Sequence, residues 1–466
     1  MRRLTLRLLT VLFLLGTHQC VSHSADAIQH VGINQQASPF VVHEWGTFTT
    51  FSGSDGAYLE FRPLADERND LPAFVANRAF NSTRSVFSKS RIMGKVRMET
   101  PVTYFYTDHV RTVNVRVDFP KGLLTEFYPP AREMLPAFDP KAAYSVGEPI
   151  GDSSLDWGEL TLIPIETLSP PIGVEDRQRV ANHIANALMP RGNHDGHYVQ
   201  ARNTDSALVH LHLEAQRTPD STGDLFSQAL FVGRPEMDYF EKFLFYRGVG
   251  KFELPLRSEV DKNDRVTLNN DGPFPMNGAV LVEVHEGKMK AAEIGAVASG
   301  QASPVPETKA VTDDDLATLV KRLLVAQGLY EKEALAMVET WKGSWFNEEG
   351  TRVLYIVPEN LTDELLPLTV RPVPDETLRV LVGRMELMSP NKEQKLIEAV
   401  RKHRDDRIEQ ANAKASNENP STLPIPSQIQ RFGRMMEPAL VRVSKISRES
   451  EIRTEAERLI LQLRAQ

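Results

Sequence analysis

Sulfur is what this chain has least of. Among 466 residues there is one cysteine, Cys20. It lies in an amino-terminal stretch built like an export leader: Met1-Arg2-Arg3 and Arg7, an apolar run from Leu8 to Gly16, then Ala25-Asp26-Ala27. A positive flank, a short apolar core and an A-x-A site mark a secretory signal peptide, here 1–27. Lipidation of Cys20 is disfavoured because Thr17-His18-Gln19 make a poor lipobox. With the leader removed, the mature chain has no thiol. That excludes disulfides, thiol nucleophiles, Cys-ligated zinc, iron–sulfur clusters and c-type haem, each of which needs sulfur. The expected localisation is secreted or periplasmic, and the expected partner is an extracellular or envelope ligand.

Other absences narrow the reading further. No later apolar run reaches the ~18 residues of a membrane-spanning helix, so the mature chain is not expected to be an integral membrane protein. There is no G-x-S-x-G elbow, no Walker A loop and no G-x-G-x-x-G, which removes nucleotide cofactors and the common serine hydrolases. Positive charge is short: 54 Lys+Arg face 62 Asp+Glu, a net of −8. The surplus of basic residues is confined to 390–466, spread along helical text, where solvated helix faces explain it. An acidic body argues against nucleic acid as a partner.

What the chain does contain reads, from Phe40 to about Ala298, as short strands. Val41–Phe48 and Tyr58–Phe61 flank the turn-forming Ser52–Gly56, the pattern of a hairpin. Val113–Phe119 alternates apolar and polar residues, so one face is buried and the other wet. Pro101 interrupts the strand text of 96–106 and predicts an edge, a bulge or a break. Ala279–Val284 and Met289–Ile294 pair across His285–Lys288. Such punctuation predicts a large antiparallel, sandwich-like β domain over 28–298. A Pro/Gly/Ser-rich linker, 299–311, follows.

Beyond the linker the period changes, and 312–412 reads as an α/β region. Leu316, Leu319, Val320, Leu323 and Leu324 mark one helix, Gly328 a stop, and Tyr330 to Trp341 a second helix. Strand text returns at 352–357, 366–371 and 377–388, and a charged helix covers 391–411. A polar linker, 413–426, leads to terminal helices in 427–466. There Ile452, Ala456, Leu459, Ile460 and Leu463 form one stripe, expected to dock on the body. The fold class is mainly β with an α/β carboxy-terminal part.

Several strings stand out within this text: His43-Glu44-Trp45-Gly46-Thr47-Phe48, Arg97-Met98-Glu99-Thr100-Pro101-Val102, Phe243-Leu244-Phe245-Tyr246-Arg247-Gly248, Ser344-Trp345-Phe346 and Val382-Gly383-Arg384-Met385-Glu386. In these the chain resembles an uncharacterised family of secreted bacterial proteins. The resemblance spans most of the mature chain. It implies export and assigns no catalytic residues.

Two constellations carry chemistry. His194-Asp195-Gly196-His197 is followed by His210-Leu211-His212, and histidines two apart on a strand face the same side. His194, His197, His210 and His212 are therefore candidate metal ligands, with zinc as the metal. The plainer reading makes them loop and wet-face residues, since no complete zinc motif is present. The second constellation sets charges in apolar text: Glu44, Glu99, Arg202 and Arg247. Such groups are either a buried structural ion pair or an acid/base pair with orienting arginines. Without a complete catalytic signature, a non-catalytic binding or envelope-associated role is favoured. The alternative is an extracellular hydrolase acting on a polymer, through the histidines or the carboxylates.

Overall fold

The first strand, β1 (Val41–Ser52), is buried at all twelve positions. A strand buried on both faces lies between two layers, and the remaining topology explains which. The computed structural model describes residues 39–62, 71–72, 74–77, 93–136, 151–168, 173–187, 197–214, 237–413 and 423–465. Its strands continue as β2 (Ala76–Asn77), β3 (Val96–Tyr106), β4 (Arg111–Phe119), β5 (Gly122–Tyr128), β6 (Glu133–Leu135) and β7 (Ser153–Ile163). Then come β8 (Leu208–Leu213), β9 (Met237–Glu241), β10 (Leu244–Gly250), β11 (Leu256–Val260), β12 (Val266–Asn270), β13 (Ala279–His285) and β14 (Lys288–Ile294). The last are β15 (Ala302–Pro304), β16 (Lys309–Ala310), β17 (Gly350–Val357), β18 (Leu368–Arg371) and β19 (Glu376–Leu387).

A ten-stranded sheet runs β16-β14-β13-β17-β19-β1-β3-β10-β5-β2. A six-stranded sheet, β18-β4-β7-β8-β9 with β6 on β7, and a three-stranded sheet, β11-β12-β15, complete the β structure. β1 pairs in parallel with β19, and among the described residues the other ladders are antiparallel. The fold is mainly β, with large antiparallel and mixed sheets and carboxy-terminal helices.

Side-chain alternation assigns the two faces of β1. On one face His43 bonds Glu333 of the helix Glu331–Phe346. On the other, Glu44 bonds Tyr246, whose ring meets Trp157 of β7 in the six-stranded sheet. The ten-stranded sheet is thus the middle layer, helices on one side and the second sheet on the other. β4 behaves as its alternation requires: Val113, Val115, Val117 and Phe119 are buried while Thr112 and Asn114 are exposed.

Three expectations need correction, and the one for Pro101 is met by one of its alternatives. The 41–48/58–61 hairpin shrinks to a turn with a single bridge, Ser52–Tyr58, because β1 takes β19 and β3 as its partners. Of the edge, bulge or break that Pro101 predicts, the bulge is what forms: β3 is continuous, and the β1–β3 register shifts between Trp45 and Thr47. There Gly46 is required, since a Cβ on it would lie 2.9 Å from Pro101 Cα. The stretch 299–311 carries β15 and β16 rather than a bare linker. It does not separate bodies either, because β17 and β19, from beyond it, lie between β13 and β1 in the ten-stranded sheet.

The helical half follows its sequence cues more closely. Thr312 and Asp315 form a reciprocal capping box on the helix Asp313–Ala326, and Gly328 holds a left-handed φ of 106° just past its end. The helices Pro390–Ala413, Met436–Ile446 and Ser450–Ala465 bury Leu396, Val400, Leu440, Ile452 and Leu459 in a second core. That core is continued by Phe51, Leu59, Phe61 and Met388 from the sheet side, so the terminal helix docks on the body. Among the described residues no helix is long and apolar enough to cross a membrane.

Candidate functional site

The strings His43–Phe48, Arg97–Val102, Phe243–Gly248 and Val382–Glu386 fall on β1, β3, β10 and β19, four neighbouring strands. Their charged residues form two buried clusters on opposite faces of the sheet. In the first, Glu44 is fully buried and both of its oxygens are saturated. Oε1 accepts from Thr103 Oγ1 at 2.9 Å and Tyr246 Oη at 2.6 Å. Oε2 accepts from Arg379 Nε at 2.8 Å and Nη2 at 2.6 Å. Arg379 Nη1 reaches Leu366 O at 2.6 Å and Asp363 at 2.9 Å. Burial opposes the charge on Arg379, but Glu44 outweighs it and raises the guanidinium pKa.

The second cluster is a chain of alternating charge. Glu99 accepts from Thr49 Oγ1 at 2.6 Å and faces Arg97 Nε at 2.9 Å and Arg434 Nη1 at 3.3 Å. Arg434 also donates to Glu348 at 3.1 Å. Glu348 accepts from Arg384 at 2.7 Å, and Arg384 and Arg352 both donate to Glu386 Oε1, their Nε atoms at 2.7 and 2.8 Å. Arg352 is held further by Trp345 O at 2.8 Å and Glu348 O at 2.7 Å. Burial pushes the Glu99 carboxyl up, yet Arg97, Arg434 and Arg384 hold it far below the usual range. Burial likewise opposes ionisation of Glu386, while Arg352 and Arg384 pull its pKa down to about 2.

Glu44 and Glu99 therefore do not converge on one cleft. Register puts Glu44 beside Thr103 and Glu99 beside Thr47, and those positions alternate to opposite faces of β1. Of the other candidates, Arg202 is buried in a fork on Glu241, with Nε to Oε1 at 3.0 Å and Nη2 to Oε2 at 2.8 Å, plus Asn186 at 2.5 Å. Arg247 is buried on β10, in register with Glu126 of β5. Glu44 and Arg202 are thus spent on different partners, Arg379 and Glu241.

The histidines divide. His194 and the side chain of His197 lie outside the described residues. His210 Nε2 and His212 Nδ1 share one oxygen of Asp238, at 2.8 and 3.0 Å, and the His210 ring stacks on Phe240. Burial raises the Asp238 carboxyl, and the two imidazole bonds bring it below its ordinary value. Among the described residues no three His, Cys, Asp or Glu are grouped to hold a metal ion. Trp341, Trp345 and Phe346 are buried core.

The Glu44 cluster meets the surface at the exposed Asp363, whereas the Glu99–Glu386 chain meets it beneath a cavity. Glu348, Glu386 and Arg434 line a cavity of about 1210 Å³. It opens where β17 begins and β19 ends, between the turn at His285-Glu286, the helix Pro390–Ala413 and the segment Gln428–Met435. A smaller cavity of about 450 Å³ shares Thr351, Met388, Lys392 and Lys395 with it. Lys392 is largely buried between the two, its Nζ 3.3 Å from Thr351 Oγ1, and burial lowers its pKa. Sequence reasoning missed this cleft. The Arg384-Met385-Glu386 spacing was visible, but Lys392, Lys395 and Lys402 read as an ordinary solvated helix face. No protein-family model matches the chain, and no curated protein matches it.

Proposed function

We propose that this is an exported, non-catalytic binding protein that takes its ligand in the cleft above Glu348, Glu386 and Arg434. One observation carries the reading. The carboxylates with catalytic potential are locked by guanidinium and hydroxyl donors within the sheet, while the wide cavity is walled by side chains that have room for a ligand. A general acid or base must reach the proton it moves, and Glu44 has neither exposure nor a spare lone pair facing solvent. A volume of about 1210 Å³ exceeds the ~300–1,000 Å³ of ordinary small-molecule pockets, which favours a segment of a larger ligand. The leader-like residues 1–27 and the resemblance to secreted proteins support export, and an extracellular or envelope component as partner.

The test is to incubate the full chain with extracellular polymers, following binding by calorimetry and scission by product analysis. Saturable binding with no product is expected. Product formation that disappears in Glu44→Gln or Glu99→Gln would establish the hydrolase instead.

A further inference from the structure

The cleft carries a charge pattern that narrows its ligand. The helix Pro390–Ala413 lines it with Lys392, Lys395, Ala399 and Lys402. These positions follow i, i+3, i+7 and i+10, so they share one helix face, and the small Ala399 leaves space between the lysines. From Lys392 to Lys402 the row spans about 15 Å at the helical rise. Arg431 stands on the facing wall with Phe432.

The two signs of charge are treated differently here. The carboxylates of the cleft floor are spent inside the protein: Glu348 on Arg384 and Arg434, Glu386 on Arg352 and Arg384, and Glu349 on His285 and the Glu286 N–H. Lys395, Lys402 and Arg431 hold no ion pair among the described residues. Positive charge is therefore available at Lys395, Lys402 and Arg431, and negative charge is mostly neutralised. Glu286 and Glu398 remain at the walls as hydrogen-bond acceptors, and Phe432 offers a ring face.

We propose that the cleft binds a segment of an acidic polysaccharide. This rests on the binding reading above and names its ligand class. A single small anion would need one or two cations, not Lys395 and Lys402 about 10 Å apart along the helix with Arg431 besides. A nucleic acid, with a phosphate at every nucleotide, would press unbroken negative charge on Glu286 and Glu398 inside the cleft, against the continuous positive surface such ligands require. A uronate chain fits both halves of the pattern. Its carboxylates pair with the lysines, its hydroxyls donate to the remaining glutamates, and the C–H face of a sugar ring packs on Phe432.

The test titrates the full-length protein with oligomers of polygalacturonate, alginate and hyaluronate, using dextran and a single-stranded DNA oligomer as controls. At least one acidic glycan should bind, weakening steeply as salt rises and at least tenfold in Lys395→Gln/Lys402→Gln. That variant should keep the wild-type melting temperature, because both side chains are exposed. Dextran binding as tightly as the acidic glycans would overturn the ligand class while leaving the binding reading intact. Preferential binding of the DNA oligomer, binding unchanged in the double variant, or no acidic glycan bound would each overturn the inference.

Discussion

The Glu44 cluster and the Glu99–Glu386 chain are made of the same parts, carboxylates paired with arginines, the first on β1 and β19 and the second spread over β3, β17, β19 and Arg434. They differ in access. Glu44 and Arg379 are buried between the ten-stranded and six-stranded sheets, and Arg379 meets the surface only by its bond to the exposed Asp363, with no described cavity lined by either. The second chain runs from the buried Glu99 through Arg434 and Glu348, which reach the cleft. A buried ion pair by itself says little about function, since its Coulombic gain is offset by desolvation. A buried chain that surfaces under a cavity can set the charge of a binding floor.

The largest effect that would break this comparison comes from Arg379→Met. It leaves Glu44 buried with only two hydroxyl donors, and urea unfolding should register a loss of about 3–5 kcal/mol. Replacing both partners, Glu44→Leu with Arg379→Met, should recover most of it, as removal of a whole buried pair often does. Next comes acid. Glu386 has a folded pKa of about 2 against 4.5 unperturbed, and Glu99 is also depressed. Depressed carboxyls contribute stability that is complete above the unfolded value and is lost as pH falls through the folded one. Stability should therefore decline from about pH 5 toward pH 2, with a contribution of about 3 kcal/mol from a shift like that of Glu386. Glu386→Gln should flatten that acid limb in a pH series of unfolding curves.

A smaller effect is expected at Gly46, which lies at the bulge between the strand segments carrying Glu44 and Thr49. Gly46→Ala would press a methyl group onto Pro101, and thermal unfolding should show a loss of about 1–3 kcal/mol. Arg434→Ala should cost about 1 kcal/mol or less, because the side chain is partly exposed and Glu99 keeps Arg97 and Thr49. The contrast between Arg379 and Arg434 is the sharpest check on which cluster is closed. Lys402→Gln should change stability by less than about 0.5 kcal/mol while weakening ligand binding, a split that a purely structural helix face would not produce.

Local signals in the sequence were read correctly where local physics decides. The alternation of Val113–Phe119, the β13–β14 turn at His285–Lys288, the Thr312 cap and the stripe from Ile452 to Leu463 depend on neighbours a few residues away. Pairing did not follow from such signals. Ser52–Gly56 looks like a hairpin turn because its Gly and Asp favour one, yet the choice of β19 as the partner of β1 is made by contacts 335 residues distant. The same distance hid Arg379 as the partner of Glu44. The expectation of a buried ion pair was sound, but nothing near Glu44 in sequence names which arginine supplies it. Lysines of the cleft were obscured differently: a helix face toward a cavity and one toward bulk water have the same composition.

Inserting β19 between β17 and β1 also has a consequence for how the chain matures. A polypeptide that emerges from its amino end presents β1 early and β19 last of the strands, so the centre of the main sheet stays incomplete until some four-fifths of the chain is out. Until then β1 carries an apolar edge with no mate. Such long-range closure slows folding and leaves sticky surface uncovered while the chain waits for β19.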